Sequence, residues 1–152
     1  MSRSLLSLIL VSLILIILLT GCNSEPQVEP TDLDLIKIEI IEKSKMPNGI
    51  TYSMKLKNLS KFTIAQNNVY ISYPIKTSAG SKGNEFKIEA KNNRLQIEPD
   101  EEIFLSAFAP IENYEENQKL DTENFNLEII GYIEEVKETR RFQKIGGIEL
   151  FK

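Results

Sequence analysis

Ile50-Thr51-Tyr52-Ser53-Met54-Lys55-Leu56 alternates without a fault. Ile50, Tyr52, Met54 and Leu56 point one way, and Thr51, Ser53 and Lys55 the other, which is a period of two. On a helix, whose side chains come round about every 3.6 residues, the four apolar groups would scatter around the axis. On a strand they form one apolar face, the pattern of an antiparallel strand buried on one side and wet on the other.

The same pattern spreads outward from this stretch. In residues 33–43, Ile36, Ile38 and Ile40 alternate with Lys37 and Glu39, and Met46-Pro47-Asn48-Gly49 then makes a turn. Downstream, Asn58-Leu59-Ser60 breaks the alternation, and Phe62 and Ile64 resume it. Residues 69–75 carry Val69, Ile71, Tyr73 and Ile75 on one face. Pro74, on the other face, marks an edge or a strand end because it cannot donate to a ladder. Residues 77–85 read as a loop, Phe86 and Ile88 as a short strand, and residues 91–94 as a hairpin tip from which Leu95 and Ile97 return. After the turn at residues 98–102, Ile103, Leu105 and Ala107 interleave with Phe104 and Phe108. With both faces apolar, that strand is expected deep in a sandwich. Residues 109–123 are acidic and poor in apolar groups, so they read as a loop. Residues 125–133 form a strand in which Gly131 marks a bulge or a close approach of backbones. Residues 139–151 form the last strand, broken by Gly146-Gly147, with Phe142, Ile145, Ile148 and Leu150 as its apolar side. Seven or eight short strands at this spacing, with no extended helix among them, predict an all-β domain: a single antiparallel β-sandwich. A small barrel such as an OB-fold is the alternative.

The N-terminus has another character. Arg3 precedes an apolar run over residues 5–19, and small residues follow. A positive start, an apolar middle and a small-residue end are the three parts of a secretory signal. The run is too short for a spanning helix, which needs roughly 18 residues or more. Leu19-Thr20-Gly21-Cys22 resembles the lipobox of bacterial lipoproteins position by position. That resemblance implies a diacylglycerol on the Cys22 sulfur and cleavage between Gly21 and Cys22. The expected organisation is a signal helix over residues 1–21, a lipidated N-terminus and flexible tether over 22–32, and the sandwich domain over 33–152. A stretch of about ten residues reaches at most roughly 35 Å, so the domain should hover near the bilayer without lying in it.

Composition narrows the function classes. Of 152 residues, 18 are Lys or Arg and 22 are Asp or Glu. Arg3 is the only charged residue ahead of Cys22, so the mature chain keeps 17 bases and 22 acids. A mildly acidic domain does not hold nucleic acid or anionic lipid by bulk charge. Cys22 is the only cysteine, so no disulfide can form within the chain. The absence of histidine removes the commonest general base and transition-metal ligand.

The domain resembles the immunoglobulin- and fibronectin-like modules of bacterial surface lipoproteins. The resemblance rests on the Lys57-Asn58-Leu59-Ser60 break, the Ile97-Glu98-Pro99-Asp100-Glu101-Glu102 turn before a Phe-bearing strand, and the late Asn126-Leu127-Glu128-Ile129 strand. It lacks the cysteine pair and buried tryptophan of antibody domains, which leaves the architecture alone.

Chemistry-bearing residues are sparse. Ser60-Lys61 could suggest a Ser–Lys nucleophile, but neighbours on a strand face opposite ways. Calcium would want clustered oxygens. Asp100, Glu101 and Glu102 form one acidic group, and Glu112, Glu115, Glu116, Asp121 and Glu123 another, with neither in the spacing of a calcium loop. Tyr52 and Tyr73 sit in apolar rows and are expected in the core. Tyr70 and Tyr132 fall on the opposite phase and are expected to be exposed; Tyr114 lies in the acidic loop. Arg140-Arg141 reads as protection of an edge strand. No catalytic residue, metal or cofactor is called for. The expected function is a non-enzymatic binding or accessory module of the cell envelope, held extracytoplasmically in the membrane through the lipid on Cys22. Its expected partner is an envelope protein or a secreted ligand, not nucleic acid. A small-ligand carrier is the alternative, with a carboxylate hydrolase behind it.

Overall fold

The computed structural model describes residues 28–110, 112 and 119–152. In chain order the elements are a helical turn α1 (Pro30–Leu33) and strands β1 (Ile36–Met46), β2 (Gly49–Asn58), β3 (Ile64–Ser72), β4 (Ile75–Thr77), β5 (Gly80–Lys82), β6 (Ile88–Glu89), β7 (Glu102–Pro110), β8 (Asn126–Ile133) and β9 (Arg141–Gly147). Two 3-10 turns flank the last strand, Glu138–Arg140 before it and Ile148–Phe151 after it.

The strands make two antiparallel layers, β1-β2-β7 and β6-β3-β8-β9, with β4 and β5 as a separate hairpin. This is the all-β sandwich the alternation predicts. The first, second and fifth strands of an immunoglobulin domain form one layer, and its third, sixth and seventh the other. Strands β1, β2 and β7 and strands β3, β8 and β9 reproduce those two sets in the same order. The short β6 sits beside β3.

The stretch 50–56 behaves as its alternation requires. Ile50, Tyr52, Met54 and Leu56 are buried, and β2 is the central strand of its layer. Ile36 and Ile38 from β1 and Ile103, Leu105, Ala107 and Ala109 from β7 complete that inner face. Ile64, Val69, Ile71, Leu127, Ile129, Ile133 and Phe142 supply the facing one. Tyr52 and Tyr73 lie in this core as expected. Their hydroxyls meet at 2.9 Å, which gives each buried hydroxyl a hydrogen-bond partner.

The fold departs from the sequence pattern in four places. Strand β7 is an edge strand and not a deep one, and Phe104 on its outer side is 63% exposed. Residues 91–94 form no hairpin tip. Lys91 bridges to Ser106 and Ile97 to Ile64, so this segment closes the side of the sandwich by crossing between layers. Asn93 holds it there, accepting from Asn67 Nδ2 at 2.9 Å and from the Val69 N–H at 3.1 Å. The last strand stops at Gly147, and Ile145 and Leu150, expected on its apolar side, are 51% and 48% exposed, while Phe151 enters the core.

The fourth departure concerns the N-terminal segment. Val28 and Leu33 pack against the core, and Asp32 is buried. Pro30 opens α1, and the Asp32 carboxylate accepts the Glu29 N–H at 2.9 Å, closing the first turn. Lys61 lies 3.4 Å from the same carboxylate. The stretch expected as free tether therefore has its last residues, from Val28 on, seated on the domain. Gly21 and Cys22 lie outside the described residues.

Candidate functional site

The outer face of the β6-β3-β8-β9 layer gathers the tyrosines that the sequence sets apart from the core. Register places them in rows across the strands. Glu89, Tyr70, Glu128 and Ile145 make one row, Asn68, Ile130 and Gln143 the next, and Gln66, Tyr132 and Arg141 the third. Tyr70 and Tyr132 share this face on neighbouring strands, two side-chain repeats apart, about 13 Å along the strand. Both are half-buried and not fully exposed. Burial pushes the Tyr70 hydroxyl above its ordinary pKa; Glu89 and Glu128 push the same way, and Lys87 opposes them.

Glu128 is the feature of this face that alternation alone does not reveal. Its phase on β8 points away from the core, yet it is 2% exposed. The Lys87 ammonium caps one carboxylate oxygen, and Gln143 Nε2 donates to the other at 2.5 Å. Buried charge survives only when paired in this way. Asn68 Nδ2 donates to Glu89 Oε1 at 2.6 Å, ordering the row beside it. The result is a platform of two aromatic rings, two isoleucines and fixed amide and carboxylate groups. Its chemistry suits contact with a polypeptide, because tyrosine offers apolar area with a polar tip.

The remaining candidates are dispersed. Ser60 is buried and donates to Asn58 Oδ1 at 2.7 Å, while Lys61 points outward over the Phe62 ring, so the two do not form a nucleophilic pair. Glu101 is drawn to Arg94 and Glu102 to Lys55, at 2.9 Å for the second pair. These partners hold both carboxyls below their usual range, aided at Glu101 by the backbone near Glu98. Asp121 accepts from the side chain and the N–H of Asn124, which lower its pKa, and Glu123 meets Lys43 at 3.2 Å. Glu112 is exposed; Tyr114, Glu115 and Glu116 lie outside the described residues. Among the described residues no group of three acids, cysteines or histidines is placed to hold a metal ion. Arg141 opens the edge strand β9, where edge protection expects it. With Arg140, Thr139, Glu29 and Leu33 it borders a cleft of about 470 Å³.

Two further features were hidden in the sequence. Lys144 points inward on β9 with only 9% of its side chain exposed, its ammonium 5.2 Å from the Phe151 ring centre and 3.7 Å from Asp34. Burial lowers its pKa more than Asp34 raises it. An apolar cleft of about 550 Å³ opens between β1 and the C-terminal turn, lined by Ile38, Ile40, Phe125 and Ile148, with Glu39 and Lys152 at its rim. No known family model matches the chain, and no curated protein sequence does.

Proposed function

We propose that this chain is a lipid-anchored extracytoplasmic protein whose sandwich binds another polypeptide of the cell envelope, or a secreted one, without catalysing a reaction. The observation that carries the anchoring is Leu19-Thr20-Gly21-Cys22 at the end of an apolar run. Two acyl chains on Cys22 would hold the protein stably, since each buried methylene contributes about 0.8 kcal/mol. Among the described residues no helix is long and apolar enough to cross a membrane. Support for binding comes from the Tyr70 and Tyr132 face, where aromatic side chains stand among polar groups already held in place. A surface ordered beforehand loses less freedom on association.

The test has two readouts. Intact-mass analysis of the protein from bacterial membranes should find a chain beginning at Cys22 and carrying acyl groups; a bare thiol with the leader attached defeats the anchoring. Crosslinking in intact envelopes, followed by capture, should enrich a partner that the Tyr70→Ala/Tyr132→Ala variant loses while its far-ultraviolet circular dichroism is unchanged. Equal capture by both proteins removes this face from the function.

The small-ligand carrier rests on the 550 Å³ apolar cleft, which falls within the range of ligand pockets, roughly 300–1,000 Å³. Saturable binding of an apolar fluorescent probe, abolished by Ile148→Glu, favours that second reading.

A further inference from the structure

The docked N-terminal segment changes where the sandwich sits relative to its anchor. If residues up to Asp32 were free, the leash from Cys22 would reach roughly 35 Å. Val28 is already held against the core, which leaves five residues between it and Cys22 and a reach of about 21 Å. Strand β2, ten residues long, spans roughly 34 Å, so the leash is shorter than the sandwich. The end of the domain that carries Val28 must therefore stay close to the bilayer.

That end is built from four pieces. They are the segment leading into β1, the turn between β2 and β3, the turn at residues 98–101 before β7, which bonds to Asn58 and Thr63, and the turn between β8 and β9. Leu59 N–H donates to Leu35 O at 3.0 Å, Glu134 N–H to Thr63 O at 2.8 Å, and Thr63 N–H to Glu134 Oε1 at 3.0 Å, so the pieces form one surface. Three of them project a large apolar side chain into solvent: Leu35 is 41% exposed, Leu59 45% and Val136 58%. Lys61 and Lys137 stand beside the two turn tips and are more than half exposed. Glu134, Glu135 and Glu138 share the last turn, and Glu98 and Asp100 stand exposed on the turn before β7, so bulk charge does not draw this pole to lipid. The apolar tips do, with the lysine stems lying along them; the Lys61 and Lys137 ammonium groups, paired in the fold with Asp32 at 3.4 Å and Glu135 at 2.8 Å, would exchange those carboxylates for phosphate.

We infer that this pole rests on the lipid surface, with Leu59 and Val136 dipping among the headgroups and Lys61 and Lys137 at the phosphate level. The inference rests on the anchoring by Cys22 proposed above. It places the β4–β5 hairpin outward and leaves the Tyr70 and Tyr132 face free to meet a partner from the side.

The acylated full-length product in nanodiscs of phosphatidylethanolamine and phosphatidylglycerol, doped with a headgroup-chelated gadolinium lipid, tests it by paramagnetic broadening of backbone amides. Amides of Leu59, Lys61, Val136 and Lys137 should broaden severalfold more than those of Thr77 and Gly80. Leu59→Ser/Val136→Ser should reduce that contrast, leaving only the part the leash itself imposes, without changing the spectrum of the core. Equal broadening at both ends, stronger broadening at Thr77 and Gly80, or a contrast untouched by the variant overturns the inference while leaving the anchoring intact. An intact mass without the lipid on Cys22 overturns both.

Discussion

Lys144 shows how a single side chain sets stability against charge. Its ammonium is buried over Phe151, and Asp34 at 3.7 Å compensates only in part. A lysine whose folded pKa is lowered binds fewer protons in the folded chain than in the unfolded one. Stability therefore rises as pH climbs from the lowered value to the ordinary 10.5. Lys144→Met keeps the stem and its contact with the ring but removes the charge. It should stabilise the protein by about 1 kcal/mol at pH 7 and abolish the rise on the alkaline side, as read by thermal unfolding across pH. Asn58 works in the opposite sense. It is fully buried, and its Nδ2 donates to the carbonyls of Phe62, Ile97 and Glu98 at 2.8, 3.0 and 3.1 Å. Asn58→Ala removes these bonds and takes the Oδ1 acceptor from the Ser60 N–H and hydroxyl, and should cost about 2–3 kcal/mol in urea unfolding with an unchanged m-value.

At the scale of elements, packing between strands decides what the alternation leaves open. Gly131 on β8 lies where a β carbon would come within 2.5 Å of the Gln66 carbonyl oxygen and 2.7 Å of the Phe142 ring. Of the two readings of Gly131, the close approach holds; the bulge lies on the partner strand β3, between Ile64 and Gln66, opposite Ile133 and Tyr132. Gly131→Ala should destabilise by about 2 kcal/mol, since the obstructing atom is backbone and cannot swing aside. Gly83→Ala, with open space around it, should shift stability by less than about 0.5 kcal/mol in the same assay. The misplacement of β7 has an equally local origin. Phe104 and Phe108 look like a second buried face in the sequence, but among the described residues no element packs over the outer side of the β1-β2-β7 layer, and the two rings are 63% and 37% exposed. There Lys55 covers the Phe104 ring at 5.2 Å while pairing with Glu102, so a cation and not a second layer meets the ring. Glu128 is the converse. A polar letter between Leu127 and Ile129 reads as a wet position, yet Lys87, distant in sequence, seals it.

For the whole molecule, the charge pattern sets the acid limit. Glu101, Glu102 and Asp121 are held below their ordinary pKa values by Arg94, Lys55 and Asn124 respectively. Carboxyls lowered in this way lend stability that is present above the unfolded values of 4.5 and 3.8 and is lost as pH falls through the folded ones. The unfolding midpoint should therefore be flat near neutrality and fall below about pH 4.5, and 1 M salt should flatten that fall because these groups are exposed to screening. Glu101→Gln/Glu102→Gln should do the same at low salt. A midpoint that declines with the same slope in the variant would place the acid-sensitive groups elsewhere.

Alternation within single strands determined the fold class, the inward rows of β1, β2 and β8, and the core positions of Tyr52 and Tyr73. Those depend on which way neighbouring side chains point, a property of the local backbone. Tertiary structure alone decided that Tyr70 and Tyr132 share a face, that Glu128 and Lys144 are buried charges, that β7 is an edge, and that Val28 and Leu33 pack against the core. Each of these depends on segments remote in sequence meeting in space, and no period of two or of 3.6 carries that information.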